Sequence, residues 1–478
     1  MSESRDQARL GRRALIRVLV VAAGGSVLAA CAQQATTPAP TAKPTQKPAT
    51  QPVAEPATTA KPSPVATTAP VKSTGTKIVL THWGGEAEAQ YMKELVERFE
   101  KANPGIAIDR MHIPDNYDQK VLTMIAGGTP PDVQTTLRFT YFSFVAKKIA
   151  LNLTPHLKEA GFNRDEYFDV GVRPYTFRGN LYGLPREIDD WVVFYNKDLF
   201  EQAGVPYPTG SWTWEELAQN AKKLTKRDSE GRAQQFGFGF PHVGGAKAFC
   251  CFVYQAGGRT VDNEDDPTKF LMTEPEAIRG VQFMADLANV HKVSPSPREQ
   301  KDLGSLDDLF VSGKVAMRYG EFWSSTRFRQ AAKFKWDIAE PARDKKQATW
   351  VGGACYTVNT KSKHTSESVK FVVWAAGKDG ATVIAEHAAG IPAIKSVAQS
   401  DAFLKTKPPE SVKTAVDVFA YGVQPPMSPT FPEWNRDLLA ALDPVWAGER
   451  KAQDALKDVA PKVQDLLDKG REMLEGIK

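Results

Sequence analysis

Residues 179–200, GNLYGLPREIDDWVVFYNKDLF, set two apolar runs on either side of a charged one. Gly179-Asn180 readily takes the positive φ angles of a tight turn. Residues 181–184 predict a short strand, stopped at Pro185 because proline has no N–H to give to a ladder. Arg186, Glu187, Asp189 and Asp190 form a polar crossing, and Trp191 to Tyr195 then reads as a buried strand. Asn196 caps a helix over 197–203 that Gly204 closes. Two strands joined by a charged segment describe a chain leaving one core and entering another.

Size agrees with two cores. Residues 1–31 carry Arg12, Arg13 and Arg17 before a short apolar stretch and end in Leu28-Ala29-Ala30-Cys31. This is the pattern of an export signal, too short to span a bilayer. Leu-Ala-Ala-Cys resembles a lipobox, which makes Cys31 the expected site of lipidation. The paired arginines fit twin-arginine export and ordinary secretion equally. Residues 32–76 hold nine prolines and no aromatic residue, a composition that predicts a disordered, extended tether. The remaining body of about 400 residues exceeds what one hydrophobic core usually supports.

The basic balance of the whole chain belongs to these leading segments. They hold nine of the 61 Lys and Arg residues and three of the 56 Asp and Glu residues, leaving 52 and 53 in the body. A neutral body gives no footprint for nucleic acid. Cys250, Cys251 and Cys355 allow one bridge, from Cys355 to either neighbour, or three buried thiols. The seven histidines lie nowhere near the cysteines at ligand spacing, so neither a metal nor a cofactor is expected.

In the body, a strand from residue 77 to 81 leads through His82-Trp83-Gly84-Gly85 into a helix with Met92, Leu95, Val96 and Phe99 on one face. A second strand over 106–113 completes a βαβ unit, which implies a parallel sheet flanked by helices. Ligands in such sheets sit beyond the carboxyl ends of the strands, which directs attention to Trp83, Gly84 and Gly85. Asp132 reads either as facing the same cleft or as a turn carboxylate. Thr213-Trp214-Glu215-Glu216 is a capping box, with Trp212 and Trp214 read as core residues.

Several of these stretches resemble the extracellular solute-binding proteins of sugar-type ABC importers, the maltose-binding-protein-like family. The resemblance rests on Leu181-Tyr182-Gly183-Leu184-Pro185, on 194–205 (FYNKDLFEQAGV), on Trp212-Thr213-Trp214-Glu215-Glu216-Leu217 and on 314–323 (KVAMRYGEFW). It extends over nearly all of 77–478. It implies an α/β, two-lobe periplasmic-binding fold of type II, each lobe a mainly parallel sheet, joined by crossing hinge strands. The lobes are expected at 77–187 with 342–390, and at 188–341 with 391–478. The resemblance also implies a monomeric, non-enzymatic capture protein, lipid-anchored outside the cytoplasmic membrane and serving an importer's membrane subunits.

A sugar offers C–H faces to aromatic rings and hydroxyls to planar polar groups. The candidate binding residues are Trp83, Gly84, Gly85, Asp132, Glu187, Asp189, Asp190, Trp191, Tyr254, Glu321, Trp323, Gly353 and Trp434. Two rival readings use the same acids. Glu187 and Asp190 could form a hydrolase's carboxylate pair. Three acids beside Trp191 could hold a cationic solute such as a polyamine or an amino sugar.

Overall fold

The computed structural model describes residues 75–241 and 246–477, without the side chains of 246, 248 and 249. The leader with Cys31, and the tether up to residue 74, lie outside the described residues; Thr76, expected as the tether's last residue, already begins the first strand.

The opening unit forms as its pattern predicts: β1 (Thr76–His82), α1 (Glu86–Ala102) and β2 (Ile106–His112). Met92, Leu95, Val96 and Phe99 are buried along one face of α1. Next come α2 (Tyr117–Ala126), β3 (Val133–Leu137) and α3 (Arg138–Ala146). The crossing strand is β4 (Leu184–Asn196), followed by α4 (Trp214–Leu224), β5 (Ala233–Gly239), α5 (Ala246–Gln255) and α6 (Pro275–Asn289). Then follow β6 (Val315–Glu321), β7 (Trp336–Ala339) and β8 (Thr349–Val358). Helices α7 (Thr365–Ala376), α8 (Lys378–Glu386), α9 (Phe431–Trp446) and α10 (Ala452–Glu475) complete the chain. The capping box at Thr213 and Glu216 heads α4, and Trp212 and Trp214 are buried in the core.

The strands run in the order β2-β1-β3-β8-β4-β6-β5, with β7 also paired to β4. The pairs β1/β2, β1/β3 and β5/β6 are parallel. The sheet is nevertheless mixed, because β4 and β8 lie antiparallel to their main neighbours. β4 runs against β8 and β6, and β8 also against β3, so these two strands break the parallel order of the βαβ units beside them. Two lobes of mixed α/β structure thus share one curled sheet.

One expectation is overturned here. The stretch 181–195 is not two strands parted at Pro185. Leu184–Asn196 is one strand of 13 residues, with the acidic crossing inside it. Leu184 to Asp190 pair with β8, and Trp191 to Tyr195 pair with β6. Pro185 is tolerated because the ladder slips beside it: Cys355 faces Pro185, Ala354 faces Glu187, and Arg186 is left over as a β-bulge. The three described cysteines are free and buried, so no bridge joins Cys355 to Cys250 or Cys251.

Candidate functional site

The bulge aims side chains. Strand alternation puts Glu187 and Asp189 on one face, and the extra residue brings Arg186 to the same place. Gly353, opposite, has φ +136°, and a Cβ there would lie 2.2 Å from the Glu187 carbonyl oxygen. Only glycine lets the two strands approach so closely. All four residues line a cleft of about 690 Å³.

The first-lobe wall comes from the carboxyl ends of β1 and β3. Trp83, Gly84 and Gly85 follow β1, and Phe139 opens α3 directly after β3. Two imidazoles brace the first loop. His82 Nδ1 lies 2.8 Å from the Trp83 carbonyl oxygen, and His112 Nε2 lies 2.7 Å from that of Gly84. Arg110 donates to His82 Nε2 at 2.9 Å, which leaves the proton of neutral His82 on Nδ1. Burial pulls the His82 imidazole down to about 4, so it stays neutral. The Trp83 ring meets Tyr117 edge-on at 5.1 Å, and the Arg186 guanidinium lies 4.7 Å from its centroid. Arg186 is itself buried and pairs with Glu88 and Glu187. Burial nonetheless raises the Glu187 carboxyl above its ordinary range.

The second-lobe wall carries a further charge cluster. Lys247, on α5, places Nζ 3.3 Å from Glu321 Oε1 and 3.6 Å from Asp189 Oδ2. Burial lifts Asp189 to about 7, with Lys247 opposing and Glu321 adding repulsion. Glu321 is also buried, but Lys247 and Arg318 outweigh that burial and hold it below its usual range. Trp323, in the turn Phe322–Ser324 after β6, is 49% exposed at the cleft mouth beside Thr326, Arg327 and Gln330. Deeper in, Phe139 stacks on Trp350 at 5.3 Å and 22°.

Of the residues proposed from sequence, Trp83, Gly84, Gly85, Glu187, Asp189, Glu321, Trp323 and Gly353 line this cleft. Five others do not. Asp132 sits at the opposite end of β3, where it accepts from Val79 N at 2.8 Å and Ser362 Oγ at 2.6 Å, so it is a turn carboxylate. Asp190 alternates away from Asp189 into the core, and neither of its oxygens has a hydrogen-bond partner among the described residues. Trp191 is buried edge-on against Tyr319 at 5.1 Å, and Trp434 against Phe431 at 4.6 Å. The Tyr254 hydroxyl is taken up by Thr260 and Glu264 inside the second-lobe core.

Sequence reasoning missed Arg186, Lys247, Phe139 and Trp350 as cleft residues. Phe139 was findable, since it follows the carboxyl end of a parallel strand just as Trp83 does. Lys247 carried no local signal. Among the described residues, no cluster of three His, Cys, Asp or Glu side chains is arranged to hold a metal ion. No described helix is long and apolar enough to cross a membrane.

Known proteins place this architecture. The galactooligosaccharide-binding protein of Bacillus subtilis is 22% identical over 395 residues, covering 81% of this chain and 89% of that protein. An ABC substrate-binding protein of Listeria monocytogenes, solved with cycloalternan, superimposes with a TM-score of 0.75 at 26% identity, covering 82% of this chain and 99% of that one. A Mycobacterium tuberculosis protein solved with glycerophosphocholine, UgpB, shares the fold at 19% identity and TM-score 0.72, covering 81% and 98%. The family profile described as bacterial extracellular solute-binding protein matches residues 83–382, well over half of the sequence. With that match over more than half of its length, and with its two-lobe α/β fold, the chain belongs to the bacterial extracellular solute-binding proteins.

Proposed function

We propose that this protein captures a neutral mono- or oligosaccharide between its lobes and delivers it to the membrane subunits of an ABC importer. The observation that carries this reading is the composition of the cleft: aromatic rings alternate with polar groups whose charges are already paired. Trp83 and Trp323 supply faces for C–H patches, backed by Phe139 stacked on the buried Trp350. Arg186 with Glu187, and Lys247 with Asp189 and Glu321, present directional donors and acceptors already held in ion pairs. Relatives named for carbohydrates support the same solute class.

Closure follows when solute touches both walls, because only differential affinity for the closed form shifts the equilibrium. The lobes on this reading are 77–187 with 342–390, and 188–341 with 391–478. Of the candidate residues, Trp83, Glu187, Asp189, Glu321 and Trp323 contact solute, while Gly84, Gly85 and Gly353 let backbone approach it. Cys31 carries the lipid that holds the protein outside the cytoplasmic membrane, and residues 32–76 give it reach.

The rival readings lose their footing. A cationic solute needs free acids, and Glu187 and Asp189 already face a guanidinium and an ammonium. A hydrolase needs two carboxylates facing one bond, and Asp190 is buried away from Glu187. On this reading the protein acts by binding and not by catalysis. A thermal-shift screen of neutral sugars tests this. A sugar at 100 times its Kd should add about 2.7 kcal/mol of stability, whereas silence across a broad panel, or cleavage of an oligosaccharide, refutes the reading.

A further inference from the structure

The surroundings of Lys247 are those of a binding site for a cation. Its Nζ sits between two carboxylates, Glu321 at 3.3 Å and Asp189 at 3.6 Å. Two aromatic rings close the other sides, with the centroids of Phe139 at 5.7 Å and Trp350 at 5.9 Å. Carboxylates with ring faces within about 6 Å form the cage that recognises ammonium ligands in general. The walls come from four separate elements, α3, β4, β6 and β8, and the occupant from a fifth, α5. Asp189 Oδ1 has no partner among the described residues, so the cage keeps a spare acceptor. Arg318 stands behind Glu321 at 3.5 Å and is itself tied to Asp307 at 2.8 Å, which fixes the carboxylate in place.

We infer that Lys247 is a built-in occupant of an ammonium cage, and that it is the residue that makes the cleft reject cationic solutes in favour of neutral ones. This rests on the reading of the cleft as a carbohydrate site and adds which solutes it excludes. With the ammonium present, the cage is occupied and both of its carboxylates already face a cation. An amine entering beside it would meet like charge in a desolvated site, which costs affinity steeply. With the ammonium removed, two carboxylates and two rings are left facing a hole of the side chain's own shape.

The side chain beyond Cβ is n-propylammonium, which supplies the probe. Full-length Lys247→Ala should gain thermal stability in proportion to propylammonium chloride. It should not respond to 1-propanol or to sodium chloride at the same concentrations. The unmodified protein and Lys247→Met, whose stem fills the hole, should respond to none of the three. Lys247→Ala should also move its solute preference from glucose-type towards glucosamine-type sugars by at least tenfold. Equal responses to propylammonium and 1-propanol, no response, or an equal response in the unmodified protein overturns the inference. If Lys247→Ala can be recovered folded only in the presence of propylammonium, the inference stands. If it cannot be recovered even then while Lys247→Met is soluble, it falls. A neutral-sugar panel on the unmodified protein in the same assay separates the two readings: propylammonium rescue with no sugar response removes the carbohydrate reading and keeps the cage.

Discussion

A Cβ on Gly353 would stand 2.2 Å from the carbonyl oxygen of Glu187, inside the contact distance of any real pair of atoms. Gly353→Ala must therefore push β4 and β8 apart at the bulge, and it also imposes a φ of +136° on a residue with a side chain. The expected cost is about 1–3 kcal/mol from backbone strain alone, together with loss of solute binding as Glu187 shifts. Paired measurements of Tm and Kd check both parts. An alanine variant that binds normally would show that the close approach does not shape the cleft.

Trp323 and Trp434 are both candidate ligand contacts by sequence, but Trp323 lines the cleft while Trp434 is buried against Phe431. Trp323→Ala removes a half-exposed ring, so stability should hold while solute affinity falls roughly tenfold. Trp434→Ala empties a buried site in α9 and should cost about 3–5 kcal/mol, with solute affinity little changed in the protein that remains folded. Isothermal titration alongside chemical denaturation reads both variants.

Arg186 is almost fully buried between Glu88 and Glu187. Arg186→Met leaves those carboxylates without their cation, a loss of about 3–5 kcal/mol for a broken buried pair. Adding Glu187→Gln should restore part of that stability but not solute binding, because the polar floor is gone. Equal stability of the single and double variants would count against the pairing as described.

Asp190 gives a dependence on pH. Burial, with repulsion from Asp189 added, holds its carboxyl well above the ordinary aspartate range. The contribution of such a group is complete below its unfolded value of about 3.9 and is lost as pH rises towards the folded value. Asp190→Asn removes that loss. The variant should gain on the parent protein as pH increases, by up to about 1.4 kcal/mol per pH unit. Melting curves at pH 4, 6 and 8 test the sign, and a difference that stays flat with pH contradicts it.

The two-lobe plan was legible because it is written in local patterns: the βαβ opening, the capping box at Thr213 and the switch from alternating to continuous apolar residues at Trp191. The cleft was legible only in part. Whether an aromatic residue faces solute or core depends on which neighbours arrive from distant strands. Trp191 lies in β4 and Trp323 in the turn just after the adjacent strand β6, yet they end on opposite sides of that divide. Lys247 meets Asp189, Glu321, Phe139 and Trp350 only after 50 to 110 residues of intervening chain have folded, and no window of sequence contains that encounter. The bulge was hidden for a different reason. Proline reads locally as a stop, and only the slip at Ala354 and Cys355 in the neighbouring strand lets the ladder continue past it.

Strand β4 changes neighbours at a single peptide, with Asp190 against Val351 and Trp191 against Glu321. With the lobes divided as proposed, β4 is one of the segments that join them, and turning one lobe against the other would twist this strand where its neighbours change. Glu187 and Asp189 project from the same few residues, so a solute bound as proposed would pull on this strand directly.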